Sequence, residues 1–362
     1  MKHVLLFIDS LGAGGAQRQL VGLAVLLKQE HYNVKVVTYY DHPFYLNMLE
    51  GNGIEYECLN VHSTRCLLKL VRTIRKFQAD CIVSFLTNPN IMACMASLLT
   101  GVKLIVSERN THLSVSKKDR IAFNLYRLAD YVVPNSYTEK TFIDNHFGHL
   151  HNKTIAITNF VDLGLFRLSV PKNKNDVLKI IVVASVKASK NTKNFIRAFN
   201  LAASENDYLQ VEWYGLNPKE YELPNNLTYA AECIDLLKEL GMEKRFKLFP
   251  KVANIQEKYW ESDIFCLPSH FEGTPNALCE AMAASLPIMC SNVCDNPRFV
   301  EEGENGMLFN PNDICDIARV LAKFSQMTSA QLVAWGRKSR ELAEKLCGEQ
   351  AFVNKYIGLI ES

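Results

Sequence analysis

Several features that define common protein classes are missing from this sequence. Its 362 residues contain no run near the ~20 apolar residues needed to cross a bilayer. The apolar run at the start, Val4–Ile8, ends at Asp9 and is shorter than the roughly 7–15 residues of a secretory signal. The net charge is only +2, which excludes the strongly basic field of many nucleic-acid-binding proteins. We therefore expect a soluble or peripheral protein with no nucleic-acid partner.

Cysteine pairing is also missing from the sequence pattern. There are 11 cysteines, an odd number, and no Cys-x-x-Cys pair. Several, such as Cys266 and Cys290, lie in apolar runs. Buried free thiols in a reducing cytoplasm explain this pattern better than a disulfide framework does.

What the sequence does contain is a regular alternation of short apolar runs and longer amphipathic segments. The runs Val4–Ile8, Val34–Val37 and Cys81–Phe85 alternate with helix-like stretches. This alternation predicts parallel sheets covered by helices on both faces. A polar stretch at 168–177 interrupts the pattern, which resumes at Leu178. We therefore predict two doubly wound, Rossmann-like α/β domains, at 1–167 and 178–348, joined by a linker at 168–177.

A glycine cluster follows the first predicted strand. Gly12, Gly14 and Gly15 precede a predicted helix, and glycines at such a point let the backbone approach an anionic ligand. The third glycine of the dinucleotide fingerprint would fall at Gln17, so that motif is not complete. A tight turn without a ligand is the alternative interpretation. Asp41, which could hold a ribose, keeps a nicotinamide oxidoreductase or a sugar-nucleotide epimerase as further alternatives.

The most informative stretch lies at 268–287, after a predicted buried strand. Thr274 and Pro275 are typical of a helix N-cap and its first residue, which places Glu272 in the loop before the helix. Glu280 lies about 7.5 Å along the helix axis from Pro275, on the face of Asn276 and Ala277. Two carboxylates at this spacing fit hydroxyls at the two ends of a nucleotide sugar whose diphosphate rests on the helix N-terminus.

Glu272, seven residues and then Glu280, within Pro-Ser-x-x-Glu-Gly-x-Pro and Glu-Ala-Met-Ala, resembles the signature of retaining glycosyltransferases of family 4. Further similarity lies in the stretch 183–191, in Asn159-Phe160-Val161-Asp162, and in Glu304-Asn305-Gly306. Ser107-Glu108-Arg109-Asn110 resembles the corresponding stretch of the family's bacterial surface-polysaccharide transferases. The resemblance implies the GT-B architecture, in which an acceptor-binding domain and a nucleotide-sugar-binding domain face a cleft, with the C-terminal helix (349–362) packed back on the first domain.

The resemblance also implies roles for individual residues. Glu272, Lys190 and His112 would be catalytic. The donor would contact a larger set of residues: Gly14, Gly15, Lys190, Glu272, Gly273, Thr274, Pro275, Asn276, Ala277 and Glu280. One position departs from the family pattern, because the family's arginine is Ser185 here. Lys187 or Lys193 could replace its charge, although lysine lacks arginine's fork, and an inactive nucleotide-sugar-binding paralogue therefore remains an alternative.

No cofactor or metal is expected for this chemistry. There is no Asp-x-Asp motif, and Lys190 with the helix N-terminus would stabilise the leaving diphosphate instead. His146, His149 and His151 are spaced loosely enough for a metal, but a solvated loop is the preferred interpretation. His112 follows Ser-Glu-Arg-Asn and could contact the sugar or the acceptor, or be an ordinary loop histidine.

Charge is unevenly distributed along the chain. Residues 1–160 carry 17 Lys and Arg against 12 Asp and Glu, and the remainder carries 23 against 26. Four basic residues recur at helical spacing, namely Arg65, Lys69, Arg72 and Lys76. They form either a solvated helix face or a contact with an anionic membrane surface. The resemblance implies transfer of a sugar with retention from a UDP-sugar to a glycan or lipid-diphosphate-linked acceptor. Together with the charge pattern, it predicts a cytoplasmic enzyme, peripheral on the inner face of the membrane.

Overall fold

The computed structural model describes residues 1–61, 64–166, 177–204, 207–218 and 228–362. The chain divides into two compact units. The first contains Met1–Phe160 and Glu349–Ser362, and the second contains Val161–Gly348. Each unit is built on a six-stranded sheet whose strands pair in parallel. This confirms the prediction of two doubly wound α/β folds.

The first sheet has the strand order β3-β2-β1-β4-β5-β6. Its strands are β1 (His3–Phe7), β2 (Asn33–Thr38), β3 (Glu55–Cys58), β4 (Cys81–Phe85), β5 (Lys103–Glu108) and β6 (Tyr131–Pro134). The helices among them are α1 (Gly15–Gln29), α2 (Leu46–Gly51), α3 (Thr64–Phe77), α4 (Thr87–Thr100), α5 (Lys117–Leu125) and α6 (Tyr137–His146).

The second sheet repeats that order as β9-β8-β7-β10-β11-β12. Its strands are β7 (Leu178–Val183), β8 (Leu209–Leu216), β9 (Phe246–Pro250), β10 (Ile264–Leu267), β11 (Ile288–Ser291) and β12 (Gly306–Phe309). Its helices are α7 (Thr192–Ala203), α8 (Tyr229–Glu239), α9 (Ile255–Trp260), α10 (Asn276–Ala283), α11 (Ile314–Ser325) and α12 (Ser329–Cys347).

Each sheet is buried on both faces, as its apolar strands require. Two apolar clusters flank the first sheet and two flank the second. The last helix, α13 (Glu349–Glu361), buries Phe352, Val353 and Tyr356 in the first unit. None of the helices in the described part of the chain has the length and hydropathy to span a bilayer.

The chain passes between the units earlier than the sequence analysis placed the end of the first domain. The change occurs after Phe160, whereas the predicted first domain ended at 167. Val161 and Phe166 belong to an apolar cluster of the second unit. The sequence around them has no change of composition that would indicate this burial. Most of the predicted linker, 168–176, lies outside the described residues.

Candidate functional site

The loops after β7 and β10 lie at the point where the strand order of the second sheet reverses. These two strands are neighbours in the sheet although 80 residues separate them in sequence. Ligands of open α/β sheets bind at such a point, outside the carboxyl ends of the strands. The topology therefore brings the loop that ends at Lys190 beside the loop that carries Glu272.

Lys190 and Glu272 form an ion pair at this edge. Nζ of Lys190 donates to Oε1 of Glu272 at 2.5 Å, and Oγ of Ser269 donates to the same oxygen at 2.6 Å. The Lys190 side chain is 25% exposed and that of Glu272 is 11% exposed. Among the described residues, Oε2 of Glu272 has no hydrogen-bond partner, so one carboxylate oxygen stays available to a bound molecule.

Local backbone features fix the two loops. Asn191 adopts a left-handed conformation (φ 61°), and its side chain donates to the Pro311 carbonyl at 2.7 Å. Asparagine tolerates this region better than most residues. The His270 N–H donates to the Ser189 carbonyl at 3.0 Å, which ties the loop after β10 to the turn that carries Lys190.

Helix α10 begins one residue later than its sequence pattern predicted. The N-cap is Pro275, in an extended conformation, rather than Thr274. The Pro275 carbonyl accepts from the N–H groups of Leu278 and Cys279, so Asn276 is the first helical residue. Proline fits this place because it needs no N–H partner. The N–H groups of Asn276 and Ala277 lie in the first turn, where a helix offers them no carbonyl of its own.

Other residues of the predicted donor set flank this helix. Gly273 and Thr274 lie in the loop between Glu272 and the N-cap, and Thr274 is buried. Glu280, on the second turn of α10, is only 4% exposed. Its Oε2 accepts a hydrogen bond of 3.0 Å from the Tyr259 hydroxyl. A carboxylate buried to this degree requires such donors.

Gly14 and Gly15 lie at the start of α1 in the first unit. Gly14 is the N-cap, and Gly15 is the exposed first residue of the helix. A Cβ on Gly14 would lie 2.1 Å from Oε1 of Gln17. The Gln17 side chain folds back over Gly14 and donates to Oδ1 of Asp9 at 2.9 Å. The space beside Gly14 is therefore filled by the end of a flexible side chain, and a larger residue at 14 would have to displace it.

His112, also in the first unit, is held between two carboxylates. Its Nδ1 lies 2.6 Å from Oε1 of Glu139, and its Nε2 lies 3.5 Å from Oδ1 of Asp119. Burial alone would lower the pKa of His112, but the hydrogen bond and the charge of Glu139 outweigh burial and raise it. The ring also stacks on Phe142. The His112 ring is therefore fixed in place by its neighbours.

Lys193 does not supply the positive charge of the arginine that Ser185 replaces. Ser185 is half-buried and Lys187 is exposed. Lys193 forms an ion pair with Glu232 and lies over the Tyr229 ring, so its charge is directed toward α8. Because Ser185 carries no charge, Lys190 is the cation of this loop that pairs with Glu272.

Metal-binding geometry is not found in the part of the chain that the structure describes. No group of three or more His, Cys, Asp or Glu side chains there could hold a metal ion. Within the histidine cluster, His146 contacts the Phe142 carbonyl and His151 contacts Asp144. All 11 cysteines are free thiols, and eight of them are buried, as the sequence pattern predicted.

The sequence analysis did not predict the contacts of two hydroxyl groups with the site carboxylates. Tyr259 contacts Glu280, and Ser269 contacts Glu272. Ser269 lies three residues before Glu272 in the same loop, which is a local signal that could have revealed it. Tyr259 precedes Glu280 by 21 residues and lies in another helix, so only the folded structure connects the two.

Comparisons with known proteins identify a family for each half of the chain. Residues 168–342 match the family described as "Glycosyl transferases group 1", and residues 13–165 match "Glycosyltransferase Family 4". An uncharacterized glycosyltransferase of Haemophilus influenzae is 26% identical over 336 residues, covering 89% of this chain and 90% of that protein.

Two further similarities are informative. The N-acetylgalactosamine-N,N'-diacetylbacillosaminyl-diphospho-undecaprenol 4-alpha-N-acetylgalactosaminyltransferase of Campylobacter jejuni is 26% identical over 324 residues, 81% of each chain. The crystal structure of HepE of Anabaena in complex with UDP and glucose has a TM-score of 0.84 and 19% identity, covering 99% of both chains. At this identity the structural likeness concerns the fold.

Proposed function

Because this chain belongs to the family 4-like glycosyltransferases of the GT-B fold, we propose that it transfers a hexose-type sugar, with retention, from a UDP-sugar to a hydroxyl of a lipid-linked saccharide. The observation that carries this proposal is the ion pair of Lys190 with Glu272, beside the N-terminus of α10, at the reversal point of the second sheet.

In the proposed complex, the donor diphosphate lies against the first turn of α10. The N–H groups of Asn276 and Ala277 and the ammonium of Lys190 suit an anion there. The ribose lies toward Glu280, and the transferred sugar lies toward Glu272, whose Oε2 can accept from a sugar hydroxyl. Gly14 and Gly15 remain candidates for donor contact from the first unit, and His112 for contact with the sugar or the acceptor.

The chemistry follows from this pose. The bond between the anomeric carbon and the diphosphate oxygen breaks, and the nucleoside diphosphate leaves with the bonding electrons. The acceptor oxygen bonds to the same face of that carbon, and its proton passes to an oxygen of the leaving diphosphate. Lys190 and the α10 N-terminus stabilise the charge that grows on the leaving group. With Ser185 in the place of an arginine, Lys190 carries a larger share of that task.

The acceptor proposal is supported by what the relatives act on. The Campylobacter relative is named for a diphospho-undecaprenol acceptor, and such a lipid is reached from a membrane surface. We include contact with anionic lipid through α3 in the proposal. Its basic residues Arg65, Lys69, Arg72 and Lys76 are all exposed.

Helix α4, beside α3, adds apolar groups to this surface. Arg75 of α3 donates to the Leu99 carbonyl of α4 at 3.2 Å. Leu98 and Leu99 are 70% and 53% exposed, and neither helix contains an acidic residue. Basic residues next to exposed leucines are typical of surfaces that bind anionic lipid headgroups and the adjoining acyl region.

The donor proposal is tested by thermal shift with a panel of nucleoside diphosphates and nucleotide sugars. UDP and one UDP-sugar should raise the melting temperature most. A ligand at 100 times its Kd adds about 2.7 kcal/mol of stability, so tight binding gives a clear shift. Glu280→Gln should weaken binding of free UDP by roughly 10- to 150-fold, because it weakens a charge-assisted hydrogen bond. A panel in which no nucleotide shifts the transition would contradict the proposal.

The membrane proposal is tested by co-sedimentation with vesicles that contain anionic lipid. Each basic residue near such a surface contributes about 1 kcal/mol, and salt screens the attraction. The variant with Arg65, Lys69, Arg72 and Lys76 changed to Gln should sediment less than the parent. A matched control changes four exposed lysines of the second unit to Gln, namely Lys238, Lys244, Lys247 and Lys251. Equal loss in both variants would assign the effect to net charge rather than to α3.

A further inference from the structure

Tyr259 is a buried tyrosine whose ring and hydroxyl face different surroundings. It lies on α9, the short helix before β10. Its ring is fully buried and packs against Phe166 and Phe265, with ring centroids 5.7 and 6.1 Å away. These contacts fix the ring independently of its hydroxyl, so the hydroxyl occupies a defined position.

That hydroxyl contacts two acceptors on α10. It lies 3.0 Å from Oε2 of Glu280 and 3.2 Å from the carbonyl of Ala277. Ala277 precedes Glu280 by three residues, so the two acceptors are on the same side of the helix. A phenol donates one hydrogen, so the two acceptors share it. The shorter contact is with Glu280, and it restricts rotation of the Glu280 side chain.

We propose that Tyr259 is a positioning residue that orients the Glu280 carboxylate for the ribose hydroxyls of the donor. This inference rests on the proposed function, in which Glu280 holds the ribose. Tyr259 touches neither the sugar nor the reacting atoms. Its hydroxyl keeps one carboxylate oxygen in place, and this restricts the directions from which the carboxylate can accept hydrogen bonds. Ordering that carboxylate before the donor arrives lowers the entropic cost of binding.

A packing role and a positioning role predict different results for Tyr259→Phe. Phenylalanine keeps the ring and its contacts with Phe166 and Phe265, and removes only the hydroxyl. If Tyr259 serves packing alone, binding of every nucleotide changes by the same factor. If it positions Glu280, the loss is confined to ligands that carry ribose hydroxyls.

The experiment measures the affinities of UDP and of 2′,3′-dideoxy-UDP by calorimetry on the full chain. Their ratio is the ribose selectivity, and it does not depend on the folded fraction because both ligands are measured on the same sample. We expect Tyr259→Phe to lower this ratio about tenfold, the effect of losing one hydrogen bond to a charged group. Glu280→Gln should lower it at least as much, and the double variant should lose no more than Glu280→Gln alone, because both residues act through one carboxylate.

The matched control is Tyr208→Phe. Tyr208 lies in the same unit, just before β8, and its hydroxyl donates to the Ser325 carbonyl at 2.5 Å. It therefore loses a tyrosine hydrogen bond at the amino end of the sheet, away from the loops that carry Lys190 and Glu272. The ribose selectivity of this variant should equal that of the wild type.

The outcomes distinguish failure of the ribose role of Glu280 from failure of the positioning role of Tyr259. A wild type that binds UDP but does not distinguish it from the dideoxy compound would overturn the ribose role of Glu280 and the Tyr259 proposal with it. A wild type with strong selectivity that Tyr259→Phe leaves unchanged would overturn the positioning role alone. Additive losses in the double variant would also overturn it, because they would show that Tyr259 acts on binding independently of Glu280.

Discussion

Replacing Lys190 with alanine separates the contribution of this residue to folding from its contribution to catalysis. The lysine pairs with Glu272 at 2.5 Å, but the two side chains are 25% and 11% exposed. A partly solvated pair contributes about 1 kcal/mol or less to stability, and Ser269 still hydrogen-bonds the Glu272 carboxylate in the variant. We therefore expect the free energy of unfolding to change by about 1 kcal/mol or less.

Turnover should respond far more strongly than stability. Charge grows on the diphosphate as it leaves, so the ammonium of Lys190 stabilises the transition state more than the bound donor. We expect turnover at saturating donor to fall roughly 100-fold, which corresponds to about 2.7 kcal/mol of lost transition-state stabilisation. The assay is release of the nucleoside diphosphate, measured beside urea unfolding of the same preparations.

Lys193→Ala is the matched control for this prediction. It also removes a lysine from an ion pair, with Glu232, in the first turn of α7. Its turnover should stay within about twofold of the wild type, since that ammonium is directed toward α8. Turnover of Lys190→Ala within a few-fold of the wild type would refute the leaving-group role. A loss of stability of several kcal/mol would show that the pair is chiefly structural.

Two further predictions concern the backbone and the pH dependence. Gly215→Ala should lower the free energy of unfolding by roughly 3 kcal/mol or more, because φ is +138° and a Cβ would lie 2.2 Å from the Ala184 carbonyl oxygen; Gly51→Ala, with open space around its Cβ, should change it little in the same urea titration. For His112, the raised pKa means that its stabilising contact with Glu139 is complete below the unfolded value of about 6.5 and is lost as the pH rises through the folded value. The stability difference between wild type and His112→Gln should therefore shrink from about pH 6 to about pH 9 in pH-dependent unfolding, and a difference that grows over that range would contradict this assignment.

The sequence predicted the fold because the signals for it are local. Buried parallel strands such as Ile264–Leu267 are continuous apolar runs, and the helices between them have amphipathic spacing. The end of the first unit was less visible, since Val161 and Phe166 look like ordinary loop residues until their burial in the second unit is seen. The N-cap of α10 moved from Thr274 to Pro275 because two adjacent residues both suit a helix start.

The candidate site was only partly visible in the sequence for a related reason. Spacing along the sequence related Glu272, in the loop before α10, to Glu280 on that helix, but the contact between Lys190 and Glu272 joins residues 82 positions apart. That contact depends on β7 and β10 being neighbours in the sheet. Likewise, the engagement of Lys193 with Glu232 and of Tyr259 with Glu280 depends on how helices pack, which no local pattern records.

The central claim, transfer of a sugar from a nucleoside diphosphate at the site of Lys190, Glu272 and Glu280, is tested most directly by the reaction itself. The enzyme is incubated with ¹³C-labelled UDP-sugars and lipid-diphosphate-linked saccharides, and the products are analysed by mass spectrometry and by NMR of the anomeric carbon. The account predicts a product one sugar larger, with the anomeric configuration of the donor, or slow donor hydrolysis where the acceptor does not fit. Both activities should be lost in Glu272→Gln. Binding of nucleotide sugar with neither transfer nor hydrolysis, or a product of inverted configuration, would contradict the account.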